Sequence, residues 1–345
     1  MAERKQRGRG KKLLAFADAL LEISKSITIK ASTRGWAYLL EGENVNGKEI
    51  TKADFDQIEK DINKCTKDGL IPVDFLAQEA ARGFDGVEVP NDETPTEFMK
   101  AYLDAVLTCE DWYISDWWDG EDYYVQMLVE KVDLKTLFSP MCKEYHIPIA
   151  TAKGWASIMQ RALYARRFKE AEENGLTALL LYCGDHDPDG LRISDFIRSN
   201  LEDLANIRWG DGIEGYDPKD LKIKRFGLNY DFIVKNNLTW IDNLITGSKK
   251  NLASPSHPNN KLPYVQDYIK QFGVRKCEAN AILKKPKEAR KLCKDAIEEY
   301  LGDGVLERFS AKEDAIHEEL ELIREKAGLK KAIAEALEAI EAEEE

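Results

Sequence analysis

Residues 177–190, which read TALLLYCGDHDPDG, decide the fold. The run from Thr177 to Cys183 is almost entirely apolar, which is typical of a strand that is buried on both faces of a sheet. The next seven residues hold three aspartates, two glycines and a proline, and they predict a loop. A helical pattern begins at Leu191. Together these features predict one strand–loop–helix unit of a parallel α/β sheet.

The same alternation continues on both sides of this unit. Three further strands are predicted at residues 125–131, 147–152 and 221–228. Helices are predicted at residues 133–146, 154–175 and 191–207. This β-α-β-α-β-α-β order implies right-handed crossovers and a mainly parallel sheet. We therefore expect an α/β domain with a Rossmann-like parallel sheet over residues 122–240.

The N-terminal part predicts a separate small domain. Helices are expected at residues 13–28, 32–40 and 51–69. The stretch LIPVDFL at 70–76 is β-like, and a small hairpin would follow it. Three helices and a β-wing outline a winged-helix domain, which we place at residues 13–90.

The remaining segments complete the domain map. Residues 1–12 are basic and are predicted to be a disordered arm, either a solubilising tail or a phosphate-binding segment. Residues 91–121 are interpreted as a linker with a short helix near 97–107. Residues 241–345 are expected to form a mainly helical C-terminal region.

Composition limits the classes of function. The chain has 345 residues, a net charge of −13 and six cysteines without a CxxC pair, which favours neither a zinc site nor a disulfide framework. The cysteine pattern suits a reducing cytoplasm, and no apolar run approaches the ~18 residues of a membrane span. The acidity argues against a surface that is coated for nucleic-acid binding. Any DNA contacts are therefore expected from local basic patches: residues 4–12 and the group Arg161, Arg166, Arg167 and Lys169.

Carboxylates follow two strands of the predicted sheet. Glu130 ends the strand at 125–131, and Asp185 and Asp187 come directly after the buried strand. Because the carboxyl ends of parallel strands share one edge, these side chains should converge. Clustered carboxylate oxygens suit Mg²⁺, and without a cation they would repel one another. We therefore predict one Mg²⁺ held by these three residues, with Asp189 as a further ligand or a helix cap. Turn formation and capping alone are the alternative. Lys131 is expected to point to the opposite side of its strand.

This arrangement resembles the TOPRIM domain, in which a strand-ending glutamate precedes a DxD loop. The likeness is greatest to the topoisomerase VI A subunit, to its relative the meiotic double-strand-break protein, and to stand-alone TOPRIM proteins of mobile elements. The resemblance implies that Glu130, Asp185 and Asp187 bind Mg²⁺. It spans roughly residues 30–300, and it is clearest at 125–195.

The same family carries an upstream winged-helix motif, T-x-R-E-x-Y-Y, whose second tyrosine cleaves DNA. STRGWAYLL at 32–40 is similar to it when Arg34 is aligned, and Tyr38 then falls on the nucleophile position. The threonine, the acidic residue and the first tyrosine of the motif are replaced by Ser32, Gly35 and Ala37. The resemblance therefore implies attack by Tyr38 and a 5′-phosphotyrosyl link.

Arg34 lies one helical turn before Tyr38 and could stabilise the phenolate or the phosphate. A nucleophile must reach solvent, so we predict an accessible Tyr38 hydroxyl. A tyrosine packed in the core is the alternative.

These features predict a Mg²⁺-dependent, topoisomerase VI A-like isomerase that cleaves double-stranded DNA by transesterification. In the family the tyrosine works with the partner subunit's TOPRIM site, so the resemblance implies a homodimer in the cytoplasm, associated with the nucleoid. No Walker A or GHKL-type ATPase motif is present, so an ATPase subunit would be a separate chain. The alternatives are a TOPRIM nuclease that uses water, and a non-catalytic DNA-binding protein of a mobile element.

Overall fold

The computed structural model describes residues 8–27, 30–72, 75–77, 90–152, 158–207, 215–245 and 250–342. The chain divides into two units. Unit 1 comprises Met1–Ala80 and Asp122–Tyr300, and unit 2 comprises Ala81–Glu121 and Leu301–Glu345. The N-terminal helices and the α/β sheet were expected as separate domains, but they lie together in unit 1.

The helices are, in chain order, α1 (Gly8–Ser24), α2 (Thr33–Leu39), α3 (Phe55–Lys67), α4 (Pro95–Leu107), α5 (Val132–Glu144), α6 (Ile158–Glu173), α7 (Ile193–Glu202), α8 (Tyr230–Lys235), α9 (Pro263–Phe272), α10 (Pro286–Leu301), α11 (Val305–Lys326) and α12 (Leu329–Ala342). The strands are β1 (Asn44–Val45), β2 (Lys48–Glu49), β3 (Tyr123–Val129), β4 (Ile149–Thr151), β5 (Thr177–Cys183) and β6 (Lys222–Gly227). No helix in the described part of the chain is long and apolar enough to cross a membrane.

The sheet of unit 1 has the order β4-β3-β5-β6, and every neighbouring pair is parallel. The predicted parallel sheet is therefore confirmed. β3 and β5 pair along their whole length, from Tyr123 opposite Thr177 to Val129 opposite Cys183. Six of the seven β5 residues are buried, as the continuous apolar run predicted. β3 ends at Val129, so Glu130 follows the strand instead of closing it.

The N-terminal segment contains the three predicted helices, but its hairpin lies elsewhere. β1 and β2 pair antiparallel between α2 and α3, around Asn46 and Gly47. Both of these turn residues have positive φ, 55° and 77°, as a type I′ hairpin turn requires. The strand expected at 70–76 is absent from residues 70–72 and 75–77. Pro72 has no amide hydrogen for a strand ladder, and the rest of the predicted wing lies outside the described residues.

The structure differs from the prediction at two places: the basic arm expected at residues 1–12 and the domain boundary expected at residue 240. α1 begins at Gly8, because the buried Leu13, Phe16 and Leu20 anchor a helix that extends back through Lys11 and Lys12. Residues 1–7 of the arm lie outside the described residues. Unit 1 continues past the boundary expected at residue 240 and ends at Tyr300.

Unit 2 includes most of the segment that was interpreted as a linker. α4 carries a capping box, in which Thr94 and Glu97 bond reciprocally. The buried Arg324 of α11 donates to the carbonyl of Leu107 and to the Glu110 carboxylate. The ion pair of Arg324 with Glu110 and the packing of α4 against α12 explain why residues 95–121 belong to a folded unit.

The net acidity of the chain resides in unit 2. That unit holds 25 acidic and eight basic side chains, a formal charge of −17. Unit 1 holds the other 38 acidic and 42 basic side chains, a formal charge of +4. The average over the whole chain therefore hides a mildly basic unit that contains the sheet.

Truncation of Leu180 tests the role of β5 in the core. The Leu180 side chain is fully buried, so Leu180→Ala should lower the free energy of unfolding by about 2–5 kcal/mol. Leu163→Ala on α6 is the control, because Leu163 is 40% exposed and should cost less than about 0.5 kcal/mol. Urea denaturation followed by circular dichroism measures both. Equal losses would contradict the assignment of β5 as the centre of the core.

Candidate functional site

The register of β3 and β5 brings two of the predicted metal ligands together. Val129 lies opposite Cys183, so the chain leaves both strands at the same level of the sheet. The Glu130 amide donates to the Cys183 carbonyl at 2.9 Å, and the Asp185 amide donates to Glu130 Oε2 at 2.6 Å. The convergence of Glu130 and Asp185 at the carboxyl edge is therefore a direct result of the strand pairing.

A lysine ammonium lies between these two carboxylates. Lys131 Nζ is 2.8 Å from Glu130 Oε1 and 3.2 Å from Asp185 Oδ2. The expectation that Lys131 points to the opposite side of the strand is wrong. Strand alternation ends at Val129, and Lys131 is the N-cap residue of α5, so its direction is not set by the pleat.

The other two aspartates of the loop have separate partners. Asp187 Oδ1 accepts from the Gly190 amide at 2.6 Å, which caps the turn into α7. Asp189 Oδ1 accepts from the Tyr264 hydroxyl at 2.9 Å. Among the residues that the structure describes, no group of three or more His, Cys, Asp or Glu side chains is arranged to hold a metal ion. The structure thus joins Glu130 and Asp185 through one cation and leaves Asp187 beside them as a turn cap.

Burial is the largest influence on the ionisation of this group. It raises the pKa of Asp185 well above its usual value, and the adjacent Glu130 charge raises it further. Burial also raises the pKa of Asp187, although the Gly190 amide opposes this. For Glu130, burial is outweighed by the charge of Lys131 and by the Asp185 amide, so its pKa is lowered. Additional positive charge would therefore favour the ionised aspartates.

A distant segment that the sequence did not single out completes the site. His186 and Cys277 exchange backbone hydrogen bonds of 2.8 and 3.0 Å. Two residues later, the Ala279 amide donates to Asp185 Oδ1 at 2.6 Å. His186 itself packs among aromatic rings and contacts the Tyr268 hydroxyl through Nδ1 at 3.0 Å. Burial lowers the pKa of His186 to about 4, so a neutral imidazole occupies the position between the two aspartates at neutral pH.

Tyr38 is a buried residue, and the expectation of an accessible hydroxyl is wrong. Its side chain is fully buried, and its ring meets Phe55 edge-on at 4.7 Å. The hydroxyl donates to Glu278 Oε2 at 2.8 Å. Burial and the Glu278 charge raise the pKa of Tyr38 far above its usual range. The cause is that α2 packs against α3 and against the 3₁₀ turn Ala279–Lys284, so the α2 face that carries Tyr38 is internal.

Glu278 also binds Arg34, the second predicted catalytic residue. Arg34 Nε is 3.2 Å from Glu278 Oε2, and Arg34 Nη1 is 3.0 Å from Glu59. Burial alone would raise the pKa of Glu278, but the Arg34 charge and the Tyr38 hydroxyl outweigh it and the pKa is lowered. Glu278 is therefore an ionised carboxylate that holds both residues of the predicted tyrosine site.

Arg34 and one carboxylate of the pair, Glu130, line the same cavity of about 360 Å³. Its lining includes Arg34, Glu130, Lys131, Asp133 and Glu278. Asp133 is fully buried and accepts hydrogen bonds from the amide and hydroxyl of Ser32, which caps α2. These bonds hold the start of α2 against the start of α5. Arg34 of α2 and Glu130 at the edge of the sheet therefore line the same cavity.

The basic group predicted on α6 is largely engaged within the protein. Arg161 donates to Asn200, Arg166 pairs with Glu170, and Lys169 pairs with Glu173. Arg167 is exposed. Three of the four side chains therefore have partners on the same or the next helix.

Searches against protein-family models, curated proteins and solved structures find no match for this chain.

Gly190 is a sensitive position of the aspartate loop. A Cβ at residue 190 would lie 2.2 Å from the Asp185 carbonyl oxygen, so the loop would have to shift. We expect Gly190→Ala to cost about 1–3 kcal/mol of stability and to weaken the cap from Asp187. The control is Gly304→Ala, where the nearest atom is 3.8 Å away. Thermal melts compare the two variants, and an unchanged melting temperature for Gly190→Ala would show that the loop has more room than described.

Tyr38→Phe tests the buried hydrogen bond. The substitution keeps the ring and removes the donor to an ionised carboxylate, so we expect a loss of about 1.5–3 kcal/mol in unfolding free energy. Tyr230→Phe is the comparison, since Tyr230 is 38% exposed and should change stability by less than about 0.5 kcal/mol. Guanidinium titration measures both. An unchanged free energy of unfolding for Tyr38→Phe would mean that the hydroxyl is solvated in solution.

Proposed function

We propose that this chain cleaves DNA phosphodiester bonds with a divalent cation at Glu130, Asp185 and Asp187, and that water is the nucleophile. The observation that carries the proposal is the convergence of Glu130 and Asp185 on one positive charge at the carboxyl edge of a parallel sheet. Glu130 and Lys131 also line the cavity that contains Arg34.

The residues fit Mg²⁺ in two respects. All three candidate ligands are carboxylates, which are the oxygen donors that hard cations prefer. The space between Glu130 and Asp185 already binds an ammonium, which identifies it as a position that favours a cation. When bound, Mg²⁺ would neutralise charge on the phosphate and lower the pKa of a water ligand.

The surrounding side chains have distinct roles in this proposal. Arg34 would bind a phosphate oxygen from the cavity wall, since a guanidinium matches phosphate geometry. Glu278 holds Arg34 in place through its Nε contact. The amides of Ala279 and Gly190 fix the orientations of Asp185 and Asp187. The +4 charge of unit 1 supports an electrostatic attraction to DNA there, despite the acidity of the chain.

The burial of Tyr38 favours water as the nucleophile. A phenol that is enclosed, bonded to Glu278 and raised in pKa is a poor nucleophile at neutral pH. A tyrosine nucleophile would first have to leave its packing against Phe55.

Transesterification through Tyr38 is the second candidate, and one observation favours it. The hydroxyl already donates to a carboxylate that lines the cavity, so a proton acceptor is in place. In that mechanism Glu278 would take the phenol proton as the Tyr38 oxygen attacks the phosphorus and the bond from phosphorus to the 3′ oxygen breaks. The 3′ oxygen would leave as a hydroxyl after it takes up a proton from water, and Arg34 would stabilise the phosphate. This candidate carries with it the homodimer and the separate ATPase subunit that the resemblance implies.

A supercoiled plasmid with Mg²⁺ separates the candidates. We expect nicking without a covalent adduct on denaturing gels. Asp185→Asn should reduce the rate by more than about 100-fold, because the substitution removes a charged ligand. Asp195→Asn, on the exposed side of α7, should leave the rate unchanged.

Tyr38→Phe should retain nicking if water attacks. A phosphotyrosyl adduct that disappears in Tyr38→Phe would instead establish the second candidate. DNA binding without any cleavage would overturn both and indicate a non-catalytic DNA-binding protein.

A further inference from the structure

Lys131 differs from an ordinary surface lysine in its surroundings. Its side chain is 36% exposed, and its ammonium contacts Glu130 and Asp185, whose side chains are 25% and 11% exposed. Both carboxylates therefore give one oxygen to the same cation. Their other oxygens are bound by backbone amides, those of Asp185 and Ala279.

An ammonium and a divalent cation cannot share this space. Two positive charges about 3 Å apart repel strongly wherever water is largely excluded, and the same carboxylate oxygens cannot fully serve both. Entry of a divalent cation therefore requires the Lys131 ammonium to leave. Its flexible four-carbon stem permits this movement without a change in the backbone.

The cavity gives the displaced ammonium a destination. Lys131 already lines this space of about 360 Å³ together with Arg34. A displaced ammonium there would lie near the Arg34 guanidinium, whose charge Glu278 and Glu59 already balance. The ammonium would therefore bring one further positive charge into the cavity, which an anion would offset. A phosphate group has the charge and the oxygen atoms to accept from both.

From this geometry we infer that Lys131 is a built-in counter-ion that competes with the divalent cation for Glu130 and Asp185, and that on metal binding it transfers to a substrate phosphate in the cavity. The inference rests on the proposed metal site and adds a coupling to it. Metal binding frees Lys131 for phosphate, and phosphate holds Lys131 away from the metal. By linkage, each ligand must then increase the affinity for the other.

Mn²⁺ binding to the full chain, measured by electron paramagnetic resonance, tests the competition without relying on activity. Lys131→Met removes the competing charge, so we expect Mn²⁺ to bind about 10-fold or more tightly than in the unaltered protein. Lys131→Arg keeps the charge and should stay within about threefold of the unaltered protein. Lys135→Met, one helical turn along α5, controls for the loss of one positive charge nearby.

Dimethyl phosphate tests the coupling. At millimolar concentration it should tighten Mn²⁺ binding to the unaltered protein and leave Lys131→Met unaffected. Thermal melts in chelator check folding, and Lys131→Gln replaces Lys131→Met if the latter does not fold. A larger Mn²⁺-induced rise in melting temperature for the neutral variant would give independent support.

The outcomes separate this inference from the proposed function. Mn²⁺ binding that is lost in Asp185→Asn, but equal in the unaltered protein and Lys131→Met, would keep the metal site and overturn the competition. An equal gain in Lys135→Met would also overturn it, since the effect would then be a general change of charge. If neither the unaltered protein nor the neutral variants bind Mn²⁺, both the proposed metal site and the inference about Lys131 are overturned.

Discussion

The pairing of β3 with β5 is the constraint on which the rest of unit 1 depends. Because the two strands are in register over seven residues, the residues that follow them emerge side by side. Glu130 and Asp185 are therefore forced into contact, and their mutual repulsion must be offset locally. Two backbone amides and the Lys131 ammonium supply that compensation. The returning segment supports this pair through the Ala279 amide, whereas the Gly190 amide holds the neighbouring Asp187.

A second set of carboxylates attaches the N-terminal helices to the same edge. Asp133, at the start of α5, receives the amide and hydroxyl of Ser32 at the start of α2. Glu278 receives Arg34 and Tyr38 from the same short helix. These contacts make α2 a wall of the candidate site instead of part of an independent domain. They also account for the burial of Tyr38, because a helix held at both its cap and its inner face has little freedom to expose that face.

Local patterns in the sequence were sufficient to predict the parallel sheet. They were not sufficient to predict which residues bind the carboxylates at its edge. The apolar run of β5 predicted a buried parallel strand, and strand order then predicted that Glu130 and Asp185 would meet. Lys131 was misplaced because alternation ends where the α5 cap begins, and no pattern marks that residue. Glu278 could not be found, since it lies in a weakly patterned region 240 residues or more from the Tyr38 and Arg34 side chains that it binds. The short helix expected near 97–107 is α4, and the capping box of Thr94 and Glu97 sets its start at Pro95, two residues earlier than expected.

The hydrogen bond between Ala279 and Asp185 also determines when, during translation, the carboxylate site can be completed. The four strands of the sheet are complete once Gly227 has been synthesised. The segment that pairs with His186 and fixes Asp185 is translated about fifty residues later. The carboxylate loop can therefore reach its fixed orientation only after Ala279 has been synthesised. The site is among the last parts of unit 1 to be completed during translation.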